Sequence, residues 1–261
     1  MTAAARSLLA RRLPGPSALP AGEAHVWTAR CDGIDGDAQR TWSALLSSDE
    51  HERMRRFHFE RDRRQYLVGH GLLRALLSQY TGALPHTWRF ATNAWGRPEI
   101  AAPADHRGLR FNLSHTPGLV AVIVARDLDV GVDVEVLDRA GEHLGLADSH
   151  FSPDEVATLR ALPAHQQPRR FVTYWTLKEA YIKARGMGLS LPLDRFTFVL
   201  DAGRPVAIRF APEMDDDAST WRFAVQQPTP SHLLAHAVRS EGPIAIRTFD
   251  ASHDMIDVRA A

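Results

Sequence analysis

The segment that most restricts the fold is a stretch in which valine alternates with other residues, Val130-Gly131-Val132-Asp133-Val134-Glu135-Val136. A period of two places successive side chains on opposite faces of an extended chain. We therefore expect a β-strand whose valines enter the core and whose Asp133 and Glu135 carboxylates project together from the other face. Neighbouring carboxylates repel each other unless a cation intervenes, and an oxygen-only pair is what Mg²⁺ prefers. Two solvated acids on an exposed face are the alternative interpretation.

Helix signals and further apolar runs predict the other elements. Serine followed three residues later by glutamate forms a capping box, which marks a helix start. Apolar residues at helical spacing that end at a glycine mark a complete helix. We predict helices that begin at Ser47 and at Ser152, helices over residues 60–80 and 169–185, and strands over residues 109–113, 119–125, 195–200, 205–210, 221–225 and 233–238.

The order of these elements predicts the domain organisation. Helices lie beside strands in both parts of the chain, so we expect an α+β protein of two similar-sized halves, residues 21–127 and 128–240. Residues 1–20 contain three prolines that break any helix, and we expect a disordered extension there. The tail over 241–261 is weakly specified.

Composition excludes several classes of protein. The formal net charge is +0, which argues against a general nucleic-acid binder. No run approaches the roughly 18 apolar residues that a membrane-spanning helix needs. The single cysteine, Cys31, excludes an intramolecular disulfide and a multi-cysteine zinc site, and the reducing cytoplasm is the expected location.

A second candidate for chemistry lies on the helix predicted over 169–185. Trp175, Glu179 and Lys183 are spaced by four residues, so they share one stripe of the helix. Only two of the 31 basic residues are lysines, Lys178 and Lys183, and a site that needs a mobile ammonium cannot use arginine instead. Glu179 is then a third metal carboxylate and Lys183 lies beside a phosphate. A simple helix ion pair between them is the alternative.

Two further groups of residues could bind an anion. Ser114 and His115 lie where a predicted strand gives way to a loop. Adjacent side chains on an extended chain point in opposite directions, so hydrogen bonding to a phosphate suits them better than nucleophilic catalysis. The second group is an arginine cluster that forms either a solvated helix face or an anion site: Arg53, Arg55, Arg56, Arg61, Arg63 and Arg64. The sequence contains no glycine-rich nucleotide-binding pattern.

Four motifs occur together in one order. They cover residues 111–115 (FNLSH), 131–135 (GVDVE), 175–183 (WTLKEAYIK) and 186–193 (GMGLSLPL). In these motifs the chain resembles the 4′-phosphopantetheinyl transferase superfamily, and more narrowly its larger, surfactin-synthetase-activating type. The resemblance extends from about residue 47 to residue 238. It implies two pseudo-symmetric α/β halves with the active-site cleft, and coenzyme A, between them.

The resemblance also implies a reaction. The enzyme would move the 4′-phosphopantetheine arm from coenzyme A to a serine of an acyl, polyketide or peptidyl carrier protein and release adenosine 3′,5′-bisphosphate. Asp133, Glu135 and Glu179 would hold Mg²⁺, or Mn²⁺ in its place. Glu179 would be the base for the carrier serine, directly or through a water. Lys183 would stabilise the diphosphate and protonate the leaving group.

The remaining implications concern coenzyme A and the protein's partners. The expected contacts to the coenzyme A phosphates are Ser114, His115, Lys183, Arg53, Arg64 and Arg97. The three arginines match less strictly, because the family often has lysine there. We expect a monomer that binds carrier domains and neither nucleic acid nor a membrane. A metal-dependent phosphohydrolase and a non-catalytic module that binds coenzyme A or a carrier are the alternatives.

Overall fold

The computed structural model describes residues 11–13, 15–138, 144–251 and 256–257. Helices and strands are mixed along the chain, which confirms the predicted α+β class. No helix in the described part is long and apolar enough to cross a bilayer. In chain order the elements are β1 (Arg11–Arg12), β2 (Glu23–Arg30), α1 (Gly36–Ser43), α2 (Ser48–Arg55), α3 (Glu60–Thr81), β3 (Arg89–Thr92), β4 (Pro98–Ala102), β5 (Leu109–Thr116), β6 (Leu119–Arg126), β7 (Val130–Val136), α4 (Ala147–His150), α5 (Pro153–Ala161), α6 (Gln167–Arg185), β8 (Phe196–Val199), β9 (Ala207–Phe210), β10 (Trp221–Thr229), β11 (His232–Arg239), β12 (Ala245–Asp250) and β13 (Ile256–Asp257).

Two compact units make up the chain, and the first holds the described residues of 1–91, 98–127 and 245–261. Its main sheet has the order β12-β2-β6-β5, in which β6 is antiparallel to both neighbours and β12 is parallel to β2. The long helix α3 packs on this sheet through buried side chains that include Leu72 and Leu76. The helix ends where Gly82 adopts a left-handed conformation, φ 76°, as a glycine after a helix commonly does.

A buried ion pair ties α2 to α3 in this unit. Arg74 donates through Nε to Glu50 Oε2 at 2.6 Å, and Glu50 also closes the predicted capping box with Ser47. Burial alone would raise the pKa of Glu50, but hydrogen bonds from His70, Arg74 and the Ser47 backbone hold that pKa at about 2. The capping-box glutamate therefore has a tertiary role as well as a local one.

The second unit comprises residues 92–97 and 128–244. Its main sheet has the order β10-β11-β7 and is antiparallel throughout. Helix α6 packs on one face of this sheet, where Leu177 and Tyr181 join the inward residues of β11 in one buried cluster. Gly186, with φ 62°, ends the helix at the residue that the sequence predicted.

The predicted helices and strands are present, with bounds shifted by a few residues. The sequence did not reveal β2, α1 or β12. Helix α1 buries only one residue, Trp42, so it lacks an apolar stripe that a periodicity search could detect. Strand β12 lies at a sheet edge and is mostly exposed, which leaves little alternation in its sequence.

The N-terminal segment differs from the expected disordered extension. Residues 1–10 and 14 lie outside the described residues. Leu13 and Leu19 are buried, and the Leu13 backbone N–H donates to Gln79 Oε1 at 2.9 Å. Gln79 Nε2 in turn donates to the carbonyl of Pro16 at 2.9 Å. The prolines of this segment exclude a helix, but an extended chain can still pack against the first unit.

Candidate active site

A close contact between β7 and α6 shapes the site in the second unit. A Cβ atom on Gly131 would lie 2.0 Å from the carbonyl oxygen of Ala180 and 2.5 Å from the backbone nitrogen of Ala184. Only glycine permits this approach, and the small side chains of the two alanines let the strand backbone lie close to the helix. Because alternate strand residues share a face, Asp133 and Glu135 face α6 as well.

Asp133 and Lys183 form the centre of the site. The Lys183 Nζ atom lies 2.5 Å from Asp133 Oδ1, and Asp133 is only 3% exposed. Val132 and Val134, on the opposite face of β7, are buried, as predicted. The predicted strand and helix therefore bring together an acidic and a basic side chain that lie 50 residues apart in the sequence.

The two other acids are electrostatically coupled to this pair. Burial, followed by the charge of Asp133, raises the pKa of Glu179, while Lys183 lowers it. Burial and the charges of Asp133 and Glu179 raise the pKa of Glu135 to about 7, against Lys183 and a hydrogen bond from Trp175. Trp175, Glu179 and Lys183 thus all interact with the acids of β7, so their stripe faces the strand.

This donor set suits a hard divalent cation in charge and in chemistry. Burial and mutual repulsion raise the pKa of Glu135 and of Glu179, one ammonium lies beside Asp133, and all the donors of the three acids are oxygens. In the described part of the chain, however, no three His, Cys, Asp or Glu side chains are arranged to hold a metal ion. The carboxylates provide the right ligands, and Lys183 is the cation that now lies beside Asp133.

The second lysine of the chain has a structural role. Lys178 is 1% exposed, and its Nζ lies 2.8 Å from Glu155 Oε2. The same ammonium donates to the carbonyls of Leu193 at 2.7 Å and Phe196 at 2.8 Å. A compact ammonium with three donors satisfies this buried geometry, and a planar guanidinium would not. Lys178 therefore has a structural reason to be lysine, and Lys183 is the lysine that contacts Asp133.

Arg97, predicted to contact coenzyme A, binds the end of α6. Its Nη1 donates to the carbonyl of Ala184 at 2.9 Å, while Asn93 Nδ2 donates to the carbonyl of Gly186 at 2.9 Å. A Cβ atom on Gly186 would lie 2.5 Å from Arg97 Nε. The turn between β3 and β4 thus caps the C-terminus of the helix that carries Lys183, where positive charge is favourable.

Ser114 and His115 lie on β5 in the first unit. Ser114 is buried, whereas His115 is exposed and its Nδ1 accepts a hydrogen bond from Gln65 Nε2 at 2.8 Å. Successive positions on a strand point to opposite faces, so the side chains of this pair project away from each other. Their predicted contact with coenzyme A phosphates stays a prediction.

The other predicted phosphate ligands, Arg53 and Arg64, lie on α2 and α3. Arg53 is exposed, and Arg64 pairs with Glu60 at 2.5 Å one helical turn away. Arg63 of the same cluster donates to the carbonyls of Phe57 and His58 and so closes the connection between the two helices. The arginine cluster therefore combines a structural residue with exposed ones.

Asp216 is a buried group that the sequence did not reveal. Its side chain is 1% exposed and accepts hydrogen bonds from Tyr181 Oη at 2.7 Å, from Trp221 Nε1 at 3.1 Å and from Arg185 Nη1. Burial alone would raise the pKa of Asp216, but the hydrogen bonds from Tyr181 and Trp221 and the charge of Arg185 lower it. Asp216 lies in a run of three aspartates, and no sequence signal distinguishes it from its two neighbours.

Comparisons with known proteins assign both units. The family model described as the 4′-phosphopantetheinyl transferase superfamily matches residues 129–238. The model described as the N-terminal region of 4′-phosphopantetheinyl transferase matches residues 37–127. The first match includes Gly131, all three acids of the site and Lys183.

Two relatives match over most of their length. The chain is 36% identical over 232 residues to the 4′-phosphopantetheinyl transferase HetI of Nostoc sp., which covers 88% of this chain and 94% of that protein. It is 30% identical over 202 residues to the transferase Sfp of Bacillus subtilis, covering 77% and 86%. A solved holo-(acyl-carrier-protein) synthase from Bacillus anthracis, in complex with CoA, is similar at TM-score 0.37 and 17% identity over 44% of this chain and 98% of that one.

Proposed function

The chain belongs to the 4′-phosphopantetheinyl transferase superfamily, in its larger two-half type, and from this we propose a reaction between two substrates. It transfers the 4′-phosphopantetheine arm of coenzyme A to a serine of an acyl, polyketide or peptidyl carrier protein. Adenosine 3′,5′-bisphosphate is the second product. Relatives named as 4′-phosphopantetheinyl transferases support this proposal.

One observation carries the proposal: the segment matched by the superfamily model contains three electrostatically coupled acids, one of which is paired with a lysine. Asp133, Glu135 and Glu179 would hold Mg²⁺ or Mn²⁺, which when bound supplies a Lewis acid that neutralises the diphosphate of coenzyme A. Phosphoryl transfer needs charge neutralisation and positioning more than covalent chemistry from the protein. The site offers both on two rigid elements, β7 and α6.

Two residues of the chain then take part in the proton transfers, one as the acceptor and the other as the donor. Glu179, whose pKa is raised by burial and by Asp133, accepts the proton of the carrier serine, directly or through a water. The serine oxygen forms a bond to the phosphorus on the pantetheine side, and the phosphorus–oxygen bond to adenosine 3′,5′-bisphosphate breaks. The leaving phosphate keeps the electron pair, and the Lys183 ammonium stabilises and protonates it.

The acceptor hydroxyl belongs to the partner in this reaction. Ser114 and His115, the adjacent serine and histidine that the sequence offered for nucleophilic catalysis, project from opposite faces of β5 and do not activate each other. We propose that a serine of the carrier protein supplies the nucleophile instead. Ser114, His115, Arg53 and Arg64 are proposed to bind the coenzyme phosphates, and Arg97 to do so while its guanidinium is anchored at the end of α6.

Mass spectrometry tests the proposal. An apo carrier domain incubated with the protein, coenzyme A and Mg²⁺ should gain the mass of phosphopantetheine. Glu179→Gln should abolish this gain, whereas Glu241→Gln, which changes an exposed acid of the same unit, should not. Breakdown of coenzyme A without a carrier would instead indicate a metal-dependent phosphohydrolase. Unchanged product formation by Glu179→Gln would refute the role of this residue.

A further inference from the structure

The ion pair at the centre of the site is asymmetric in burial. The Asp133 side chain is 5% exposed, while the Lys183 side chain is 26% exposed and contacts it at 2.5 Å. The carboxylate is held on a strand inside the unit. The ammonium is carried on a flexible four-carbon stem that reaches in from the more open side. Lys183 is therefore the more solvent-accessible member of the pair.

A divalent cation would compete with this ammonium. Asp133 Oδ1 now lies at hydrogen-bond distance from Lys183 Nζ, and a metal ion bound by the same carboxylate would repel the ammonium at short range. Burial and the charges of Asp133 and Glu179 raise the pKa of Glu135, and a divalent cation at these acids would oppose that repulsion.

We propose that Lys183 is the counter-ion of Asp133 only until the divalent cation binds, and that cation binding moves its ammonium from the carboxylate to the diphosphate of the donor. The inference rests on the proposed function. Loading of the cation and delivery of the lysine then become one event, so the ammonium reaches the diphosphate only in a metal-loaded enzyme. No covalent bond changes in this step.

The other lysine provides an internal reference. The Lys178 ammonium is enclosed by Glu155 and by the carbonyls of Leu193 and Phe196, and it is 1% exposed. Three oxygen acceptors hold this ammonium in place. Since the chain has only these two lysines, selective ¹³C labelling of lysine at Cε gives two signals, and Lys183→Arg identifies them by removing one.

Two measurements without coenzyme A test the inference. First, Mn²⁺ affinity is measured by the paramagnetic resonance of the free ion. Lys183→Met, which removes the competing charge, should bind Mn²⁺ about tenfold more tightly than wild type. Lys183→Arg keeps the charge and should stay within about twofold. Arg169→Gln removes a cation from the same helix, one that contacts Gln227 instead of the site, and should leave the affinity unchanged.

Second, Mg²⁺ is titrated into the wild-type protein labelled at lysine Cε. The Lys183 signal should shift with saturation while the Lys178 signal stays in place. This measurement needs no variant that could fail to fold. Equal or weaker Mn²⁺ binding by folded Lys183→Met, or a Lys183 signal that does not move at saturation, would overturn the inference alone. Absence of metal binding in a wild-type protein would overturn the proposed metal site as well.

Discussion

Replacing Gly131 by alanine tests whether the approach of β7 to α6 builds the proposed active site. The added Cβ atom would lie 2.0 Å from the Ala180 carbonyl oxygen, which is 1.4 Å short of the 3.4 Å at which ordinary van der Waals contact begins. A second clash, at 2.5 Å from the Ala184 nitrogen, lies in the same direction. Both neighbouring atoms belong to helix backbone, so no side-chain rotation relieves them.

The strand must therefore move away from the helix by about 1 Å, and such overpacking costs about 3 kcal/mol of unfolding free energy. Asp133 and Glu135 move with the strand, while Glu179 and Lys183 stay on the helix. A displacement of about 1 Å at a reacting centre lowers turnover about a hundredfold. We expect Gly131→Ala to lose both stability and activity, with the activity loss persisting at temperatures where the variant is folded.

Urea unfolding followed by circular dichroism gives the first quantity, and the mass-spectrometric transfer assay gives the second. Gly242→Ala is the matched control, because a Cβ atom there meets nothing within 4 Å in the same unit. This control should keep wild-type stability and activity. If Gly131→Ala did the same, the close packing of β7 on α6 would not be what positions the acids.

Three more outcomes follow from individual side chains. Burial would raise the pKa of Glu50, yet the hydrogen bonds that it accepts hold that pKa at about 2 in the folded protein, against an ordinary value of 4.5. The ionised form therefore contributes about 3 kcal/mol to the free energy of unfolding above pH 4.5. This contribution is lost as the pH falls toward 2. In urea unfolding, the stability deficit of Glu50→Gln should be larger at about pH 6 than at about pH 3, and a deficit independent of pH would contradict this. Lys178→Met leaves the Glu155 carboxylate buried without its cation and should lower the free energy of unfolding by about 3–5 kcal/mol. Adding Glu155→Gln to the same chain should partly restore that stability. Wild-type stability of Lys178→Met alone would show that the pair is not essential. Lys183→Arg keeps the charge but cannot readily donate a proton, so steady-state kinetics should show kcat falling more than the KM for coenzyme A rises, and equal activity would remove the requirement for lysine.

Local patterns in the sequence were enough to predict the elements that carry the site. The alternation over 130–136 encodes a strand with its acids on one face, and the spacing of Trp175, Glu179 and Lys183 encodes a helix stripe. Capping boxes and terminal glycines mark the helix ends because they satisfy backbone groups within a few residues. These are short-range effects, and they do not depend on what the element packs against.

The pairing of those elements depended on tertiary structure. The sequence does not show which cation lies beside Asp133 or that Lys178 is structural. Both facts depend on which strand packs against which helix. The same holds for β12, whose residues pair with a strand more than 200 positions earlier, with Arg247 Nε 3.0 Å from Glu23 Oε2. Periodicity indicates which face of a segment is buried, but it does not identify the segment that packs against that face. Contacts between segments that are distant in the sequence, such as the contact of Gly131 with α6, determine which segments pack together.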